Sequence, residues 1–245
     1  MVKFELSDVG LFKELVSVTE KYIDDVVRFE LNDEGLSFTC LDKPHVCFLS
    51  CLVRNEWFVE YDVPDSVGFV VDIRELKQAL SRIGNSASVS CSLSDEFFIL
   101  KTSNLEGNKS FKLRLVDGDY MPPSPPSIPY NGSISVDFDM LREYTLDASL
   151  YGNKVSYNLL DGNQLLVKSE SDYTMYGATL SVIGDVTPCK VVLSSEKIVD
   201  LFKLKSLDDC QIELGNDMPL TINLMNNTED VCFKFLIAPR LEEDV

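Results

Sequence analysis

Five of the ten prolines in this 245-residue chain fall within nine consecutive positions, Met121 to Pro129 (MPPSPPSIP). Missing N–H groups and a fixed φ keep such a stretch out of helices and central strands and favour an extended connector. The spacing predicts one domain over residues 1–116, a connecting loop over 117–131 and a second domain over 132–245. The same order of elements, helix, strands, helix, strands, recurs on either side. Val26 to Leu36 (VVRFELNDEGL) alternates apolar and polar residues into a turn, and Lys154 to Leu165 (KVSYNLLDGNQL) does so about 128 residues later. Val70 to Leu80 (VVDIRELKQAL) and Val192 to Phe202 (VLSSEKIVDLF) each read as a strand, a capping Asp or Ser and a short amphipathic helix. A repeat of more than about 100 residues means duplicated domains rather than a solenoid.

With 45% hydrophobic and 10% aromatic residues the chain is globular. No long apolar run occurs, and the opening MVKFELSDVG lacks a basic region followed by an apolar stretch, so the expectation is an intracellular protein without a membrane span. The 22 Lys and Arg against 40 Asp and Glu give a net charge of −18, which by itself predicts repulsion from nucleic acid. Seven cysteines with no CxxC pair favour reduced thiols over a disulfide framework or a zinc ribbon. Cys47 and Cys51 share a strand face, where small buried residues are the simpler reading than metal ligands. His45 is the one imidazole, and no G-x-S-x-G, GxxxxGK[ST] or GxGxxG accompanies it. Neither an enzyme, a cofactor nor a metal is indicated.

Four helices are expected, over Val9–Tyr22, Ile73–Ile83, Met140–Tyr151 and Ser195–Lys205, with Asp72 and Glu75 placed to form a capping box. Together they hold nine basic and seven acidic residues, whereas everything outside them holds 13 basic and 33 acidic. Ordinary solvated helix faces would explain this segregation. So would a DNA-facing surface on an acidic body.

Four stretches resemble one family, from end to end and in order. They are LNDEGLSFTCLDKPHV (Leu31 to Val46), RLVDGDY…PSPPSI (Arg114 to Ile128), LGNDMPLTINL (Leu214 to Leu224) and FLIAPRLEEDV (Phe235 to Val245). The chain resembles the proliferating cell nuclear antigen family of DNA sliding clamps, most nearly its archaeal members. The resemblance implies an α+β fold of two similar clamp domains, with helices lining one side of curved antiparallel sheets. It further implies a homotrimeric ring assembled head to tail around duplex DNA, acting as a processivity factor without catalytic residues. A heterotrimeric or specialised damage-response clamp is the alternative.

On this resemblance the lining charges are Lys13, Lys21, Arg74, Lys77, Arg82, Arg142, Lys197, Lys203 and Lys205. Glu14, Glu20, Glu143, Asp147 and Asp200 dilute them relative to the family. Edge strands over Asn108–Val116 and Met175–Ile183 would pair between subunits, through Lys109, Phe111, Leu113 and Leu115 on one and Tyr176, Ala178, Leu180 and Val182 on the other. A pocket for short partner motifs would comprise Leu41, His45, Val46, Phe48, Pro219, Leu236, Ala238 and Pro239, with Leu236 where many relatives carry an aromatic residue. Glu242, Glu243 and Asp244 would form an acidic strip or a solvated terminus. Implied partners are DNA polymerase, clamp loader, flap nuclease and ligase. The implied location is the cytoplasm, on the nucleoid, or the nucleus of a eukaryote.

Overall fold

Alternation builds most of the chain: Val26–Asn32 buries every second residue, and Lys154–Leu160 repeats that pattern. The computed structural model describes residues 2–23, 25–104, 107–118, 120–130, 132–185 and 187–240, and Glu242, Glu243 and Asp244 lie outside the described residues. Two compact units result. One holds 1–43, 49–124 and 228–232, the other 44–48, 125–227 and 233–245.

The first half of the chain runs β1 (Lys3–Leu6), α1 (Val9–Tyr22), β2 (Val26–Asn32), β3 (Gly35–Leu41), β4 (Cys47–Arg54) and β5 (Glu60–Asp62). It continues through β6 (Val67–Asp72), α2 (Ile73–Ser81), β7 (Ser88–Leu93), β8 (Phe97–Asn104) and β9 (Gly107–Arg114). The second half runs β10 (Gly132–Asp137), α3 (Phe138–Ser149), β11 (Lys154–Leu160), β12 (Gln164–Glu170), β13 (Met175–Ser181) and β14 (Ile183–Asp185). It ends with β15 (Cys189–Ser194), α4 (Ser195–Ile198), β16 (Asp209–Leu214), β17 (Leu220–Met225) and β18 (Val231–Ile237).

The duplication read from the sequence is complete at the level of topology. Strand order β5-β1-β7-β8-β9 in the first unit matches β14-β10-β16-β17-β18 in the second, and β4-β3-β2-β6 matches β13-β12-β11-β15. In the first unit Phe4, Phe98, Phe69 and Phe29 form a chain of ring contacts with centroids 6.2, 5.0 and 5.5 Å apart. In the second, Phe138 of α3 stacks on Phe202 at 5.7 Å. The turn after β2 needs Gly35, whose φ is +140° and whose Cβ, if present, would overlap the Val53 carbonyl oxygen. Asn32 Oδ1 closes that turn by accepting from the backbone N–H of Glu34 and Gly35 at 2.9 and 3.2 Å.

Helix boundaries differ from the sequence reading where caps and packing compete. Asp137 accepts from Met140 N at 2.9 Å and starts α3 two residues early. Asp72 accepts from the N–H groups of Arg74 and Glu75 at 2.8 and 3.2 Å, which is the forward half of the expected capping box. The fourth helix is the main correction. Instead of reaching Lys205 it has one turn, Ser195–Ile198, followed by a 3₁₀ turn over Leu201–Lys203. Ser194 makes no side-chain cap, and the tighter turn buries adjacent Leu201 and Phe202 together with Leu204, which an α-helix would spread around its circumference.

Candidate functional site

Six of the expected basic residues are held by carboxylates or by a carbonyl. In the first unit α1 and α2 lie side by side, joined by Glu20 of α1, whose Oε2 receives Lys77 Nζ at 2.7 Å and lies 3.7 Å from Lys21 Nζ. Burial works against ionisation of Glu20, yet the two ammonium groups outweigh it and hold the carboxyl below its usual range. Arg74 Nε lies 4.0 Å from the capping carboxylate of Asp72. Lys13 donates to the Ile83 carbonyl and, at 2.8 Å, to Asn85 Oδ1; partial burial pushes its ammonium pKa down. It thus ties α1 to the end of α2. Arg82 is exposed beyond α2, and its carbonyl accepts from Lys109 Nζ of β9 at 3.2 Å.

In the second unit Arg142 of α3 pairs with Asp139 at 2.8 Å and lies 5.9 Å from the Phe138 ring centroid. Lys203 is paired with Asp200. Lys205 is exposed and Lys197 half-buried. Of the nine basic residues expected on the helices, Lys21, Arg74, Lys77, Arg142 and Lys203 have a carboxylate partner.

Both expected edge strands are sheet edges: β9 ends the order β5-β1-β7-β8-β9, and β13 begins the order β13-β12-β11-β15. They are shorter than predicted. Leu115 falls after β9, its N–H donating to Glu96 O at 2.9 Å, and Val182 breaks the chain between β13 and β14, its N–H donating to Asn163 O at 3.0 Å. Leu113, Leu180 and Val182 are buried in their own units, so of the expected interface residues only exposed Lys109 and half-buried Phe111, Leu115, Tyr176 and Ala178 are accessible. The two edges differ in charge, β13 having no charged side chain of its own. Beside β9 are exposed Lys109, Lys112 and Arg114, whereas Tyr176 on β13 donates to Asp147 Oδ2 at 3.3 Å. Burial, followed by Asp147 and Glu143, pushes the Tyr176 phenol up to about 12. Tyr151 stacks on Tyr176 at 5.6 Å, and Leu150, Tyr173 and Met175 nearby in sequence are exposed.

Of the residues expected to form a partner pocket, all but Leu41 belong to the second unit. Ala238 N–H donates to Val46 O at 2.8 Å, joining the stretch after His45 to the stretch after β18. His45 is exposed and has φ +59°, a left-handed conformation that His tolerates better than most residues and that turns the chain into β4. Val46, Ala238 and Pro239 are half-buried, whereas Phe48 and Leu236 are buried. Pro219 is half-buried just before β17, and Leu41 ends β3 in the first unit.

A strap on the first unit was missed by the sequence reading. Val116 N–H donates to Val70 O at 2.9 Å, Arg28 Nη1 to Tyr120 O at 3.4 Å and Thr39 Oγ1 to Pro123 O at 3.2 Å. Arg28 is braced by Glu30 at 2.5 Å, and a Cβ on Gly68 would overlap both side chains. The signal was present in Gly68, a glycine inside an otherwise apolar strand.

The family model for the proliferating cell nuclear antigen N-terminal domain matches residues 1–120. The chain is 27% identical to a protein of Methanothermobacter thermautotrophicus and 29% identical to one of Methanobrevibacter smithii, each named DNA polymerase sliding clamp, over the whole of both chains. The first 120 residues match the proliferating cell nuclear antigen family, and the whole chain is similar to proteins named DNA polymerase sliding clamp. Its fold matches a crystal structure of a proliferating cell nuclear antigen from Thermococcus kodakaraensis with TM-score 0.89 at 21% identity, over 98% of this chain and 100% of the other. That match takes in both units with their matching strand orders. Among the described residues no helix is long and apolar enough to cross a membrane.

Proposed function

We propose that this chain is a DNA sliding clamp that encircles duplex DNA and tethers DNA polymerase. The observation that carries the reading is its end-to-end similarity, on a duplicated fold, to relatives named DNA polymerase sliding clamp. Such a protein is a processivity factor, not an enzyme. A closed ring is retained by topology, so its phosphate contacts have to be weak enough to slide while the tethered partner stays at high local concentration. Ion-paired Lys21, Lys77, Arg74, Arg142 and Lys203 suit this task. Their carboxylates compete with phosphate without removing the positive charge. Lys13 contributes by fixing α1 to the end of α2 rather than by touching DNA.

Three copies close head to tail, β9 of one pairing with β13 of the next. Unpaired edge N–H and C=O groups supply the ladder, and the Lys109, Lys112 and Arg114 charges meet Glu143 and Asp147. Residues 117–131 connect the clamp domains 1–116 and 132–245. Polymerase, clamp loader, flap nuclease and ligase dock through short motifs on the second unit, at His45, Val46, Phe48, Pro219, Leu236, Ala238 and Pro239. The protein works on the cytoplasmic nucleoid, or in the nucleus of a eukaryotic source.

The test is primer extension on closed circular template with polymerase, loader and ATP. Stimulation is expected on the circle and should vanish when the template is linearised. A His45→Ala, Pro239→Asp variant should keep its assembly mass and lose stimulation; unchanged stimulation would refute the pocket assignment.

A further inference from the structure

The β13-β12-β11-β15 sheet has a face that the clamp reading leaves without a role. Tyr157 of β11 points to α3, since its hydroxyl shares a hydrogen bond of 2.9 Å with Thr145 Oγ1. Side chains alternate along a strand, so Lys154, Ser156 and Asn158 face away from that helix. Register places Lys168 of β12 and Val192 of β15 opposite Ser156, and Lys190 of β15 opposite Asn158. These residues line an open cleft of about 760 Å³, in which Val192 is the one aliphatic side chain among the described residues. Its polar floor is ordered. Asn158 Nδ2 donates to Ser156 Oγ at 3.1 Å, and Ser156 Oγ donates to the Lys168 carbonyl at 3.3 Å.

Three ammonium groups, Lys154, Lys168 and Lys190, share the cleft with two carboxylates, Glu170 and Asp172. Lys168 is paired with Glu170, and its hydrogen bond and charge, with a contribution from Lys190, hold that carboxyl below its usual range. A locally positive cleft on a chain of net charge −18 is uncommon ground. It admits an acidic partner that the acidic parts of the surface repel. The lining has no apolar socket for an aromatic or aliphatic anchor, and it faces away from α3, the helix that carries Arg142. Successive floor residues on β11 step by about 6.6 Å, which is also the side-chain repeat of an extended peptide.

We propose that this cleft binds an extended acidic peptide of a partner protein, with carboxylates seated on Lys154 and Lys190 and the backbone laid along Ser156 and Asn158. This inference is independent of the clamp reading and of the pocket formed with Ala238. Its test is fluorescence anisotropy of labelled hexaglutamate with the full chain at low salt. Saturable binding is expected, with a loss of about tenfold or more in Lys154→Ser, Lys190→Ser and little change in the charge-matched control Lys3→Ser, Lys43→Ser. An equal loss in the control overturns the proposal, as does equal binding of hexaglutamine. Competition by a short DNA duplex at matched charge reassigns the cleft to nucleic acid and also overturns it. So does a large gain in affinity on truncation after Arg240, which would make the chain's own acidic end the occupant. All the substituted lysines are on the surface, and unchanged circular dichroism and solution mass exclude misfolding as the cause.

Discussion

Removing the Tyr157 hydroxyl tests how α3 is held to its sheet. Tyr157 and Thr145 are both 0% exposed, and their shared hydrogen bond of 2.9 Å crosses from strand β11 to the helix that carries Arg142. Tyr157→Phe strands the threonine hydroxyl, which can turn back to a carbonyl of its own helix, so the expected cost is about 1 kcal/mol. Thr145→Val strands the phenol in an apolar core with no such escape, and is expected to cost about 2 kcal/mol. With both polar atoms gone neither penalty remains, so the double variant should be less destabilised than the sum of the singles by about 1 kcal/mol. Equilibrium urea unfolding followed by circular dichroism measures all four proteins. For a chain of this length 1 kcal/mol corresponds to roughly 2–4 °C in Tm. Strict additivity of the two substitutions, or a Tyr157→Phe variant as stable as the parent, would refute the reasoning.

Charge reversal at the β9 edge, Lys109→Glu with Lys112→Glu, should give monomers by light scattering, and mixing with Glu143→Lys, Asp147→Lys should restore association; persistence of the parent mass in the first variant contradicts the edge-pairing account. Glu20→Gln releases Lys21 and Lys77 together, so binding to short duplex DNA should tighten and its log–log salt dependence steepen by about 1 to 2. An unchanged slope would place those lysines away from DNA. Burial pushes the Cys40 thiol up to about 12 and raises Cys51, Cys91 and Cys210 as well. The unfolded chain ionises these thiols near pH 8.5 while the folded chain keeps them protonated, so their contribution is full below that pH and falls above it, by about 1 kcal/mol per thiol at pH 9.5. Urea midpoints at pH 7.5 and 9.5 check this, and equal midpoints would contradict it.

The fold was largely legible because its information is local. Alternation around β2 and β11, the carboxylate caps Asp72 and Asp137 and the cluster of prolines each act over a few residues. The same holds for part of the charge pattern: Asp139 with Arg142 and Asp200 with Lys203 stand three residues apart in the sequence. Long-range contacts were not legible. Glu20 meets Lys77 across 57 positions, and Lys13 reaches the end of α2 across 70. The truncated α4 reflects tertiary burial of Leu201 and Phe202 overriding helical periodicity. The lysine cleft escaped notice because Lys154, Lys168 and Lys190 read singly as solvated strand residues, and only strand register brings them to one face.

Light scattering of the pure chain over a dilution series tests the central claim most directly. The account predicts a mass near three times 27.5 kDa that persists on dilution. A stable monomer at every concentration would contradict a self-closing ring.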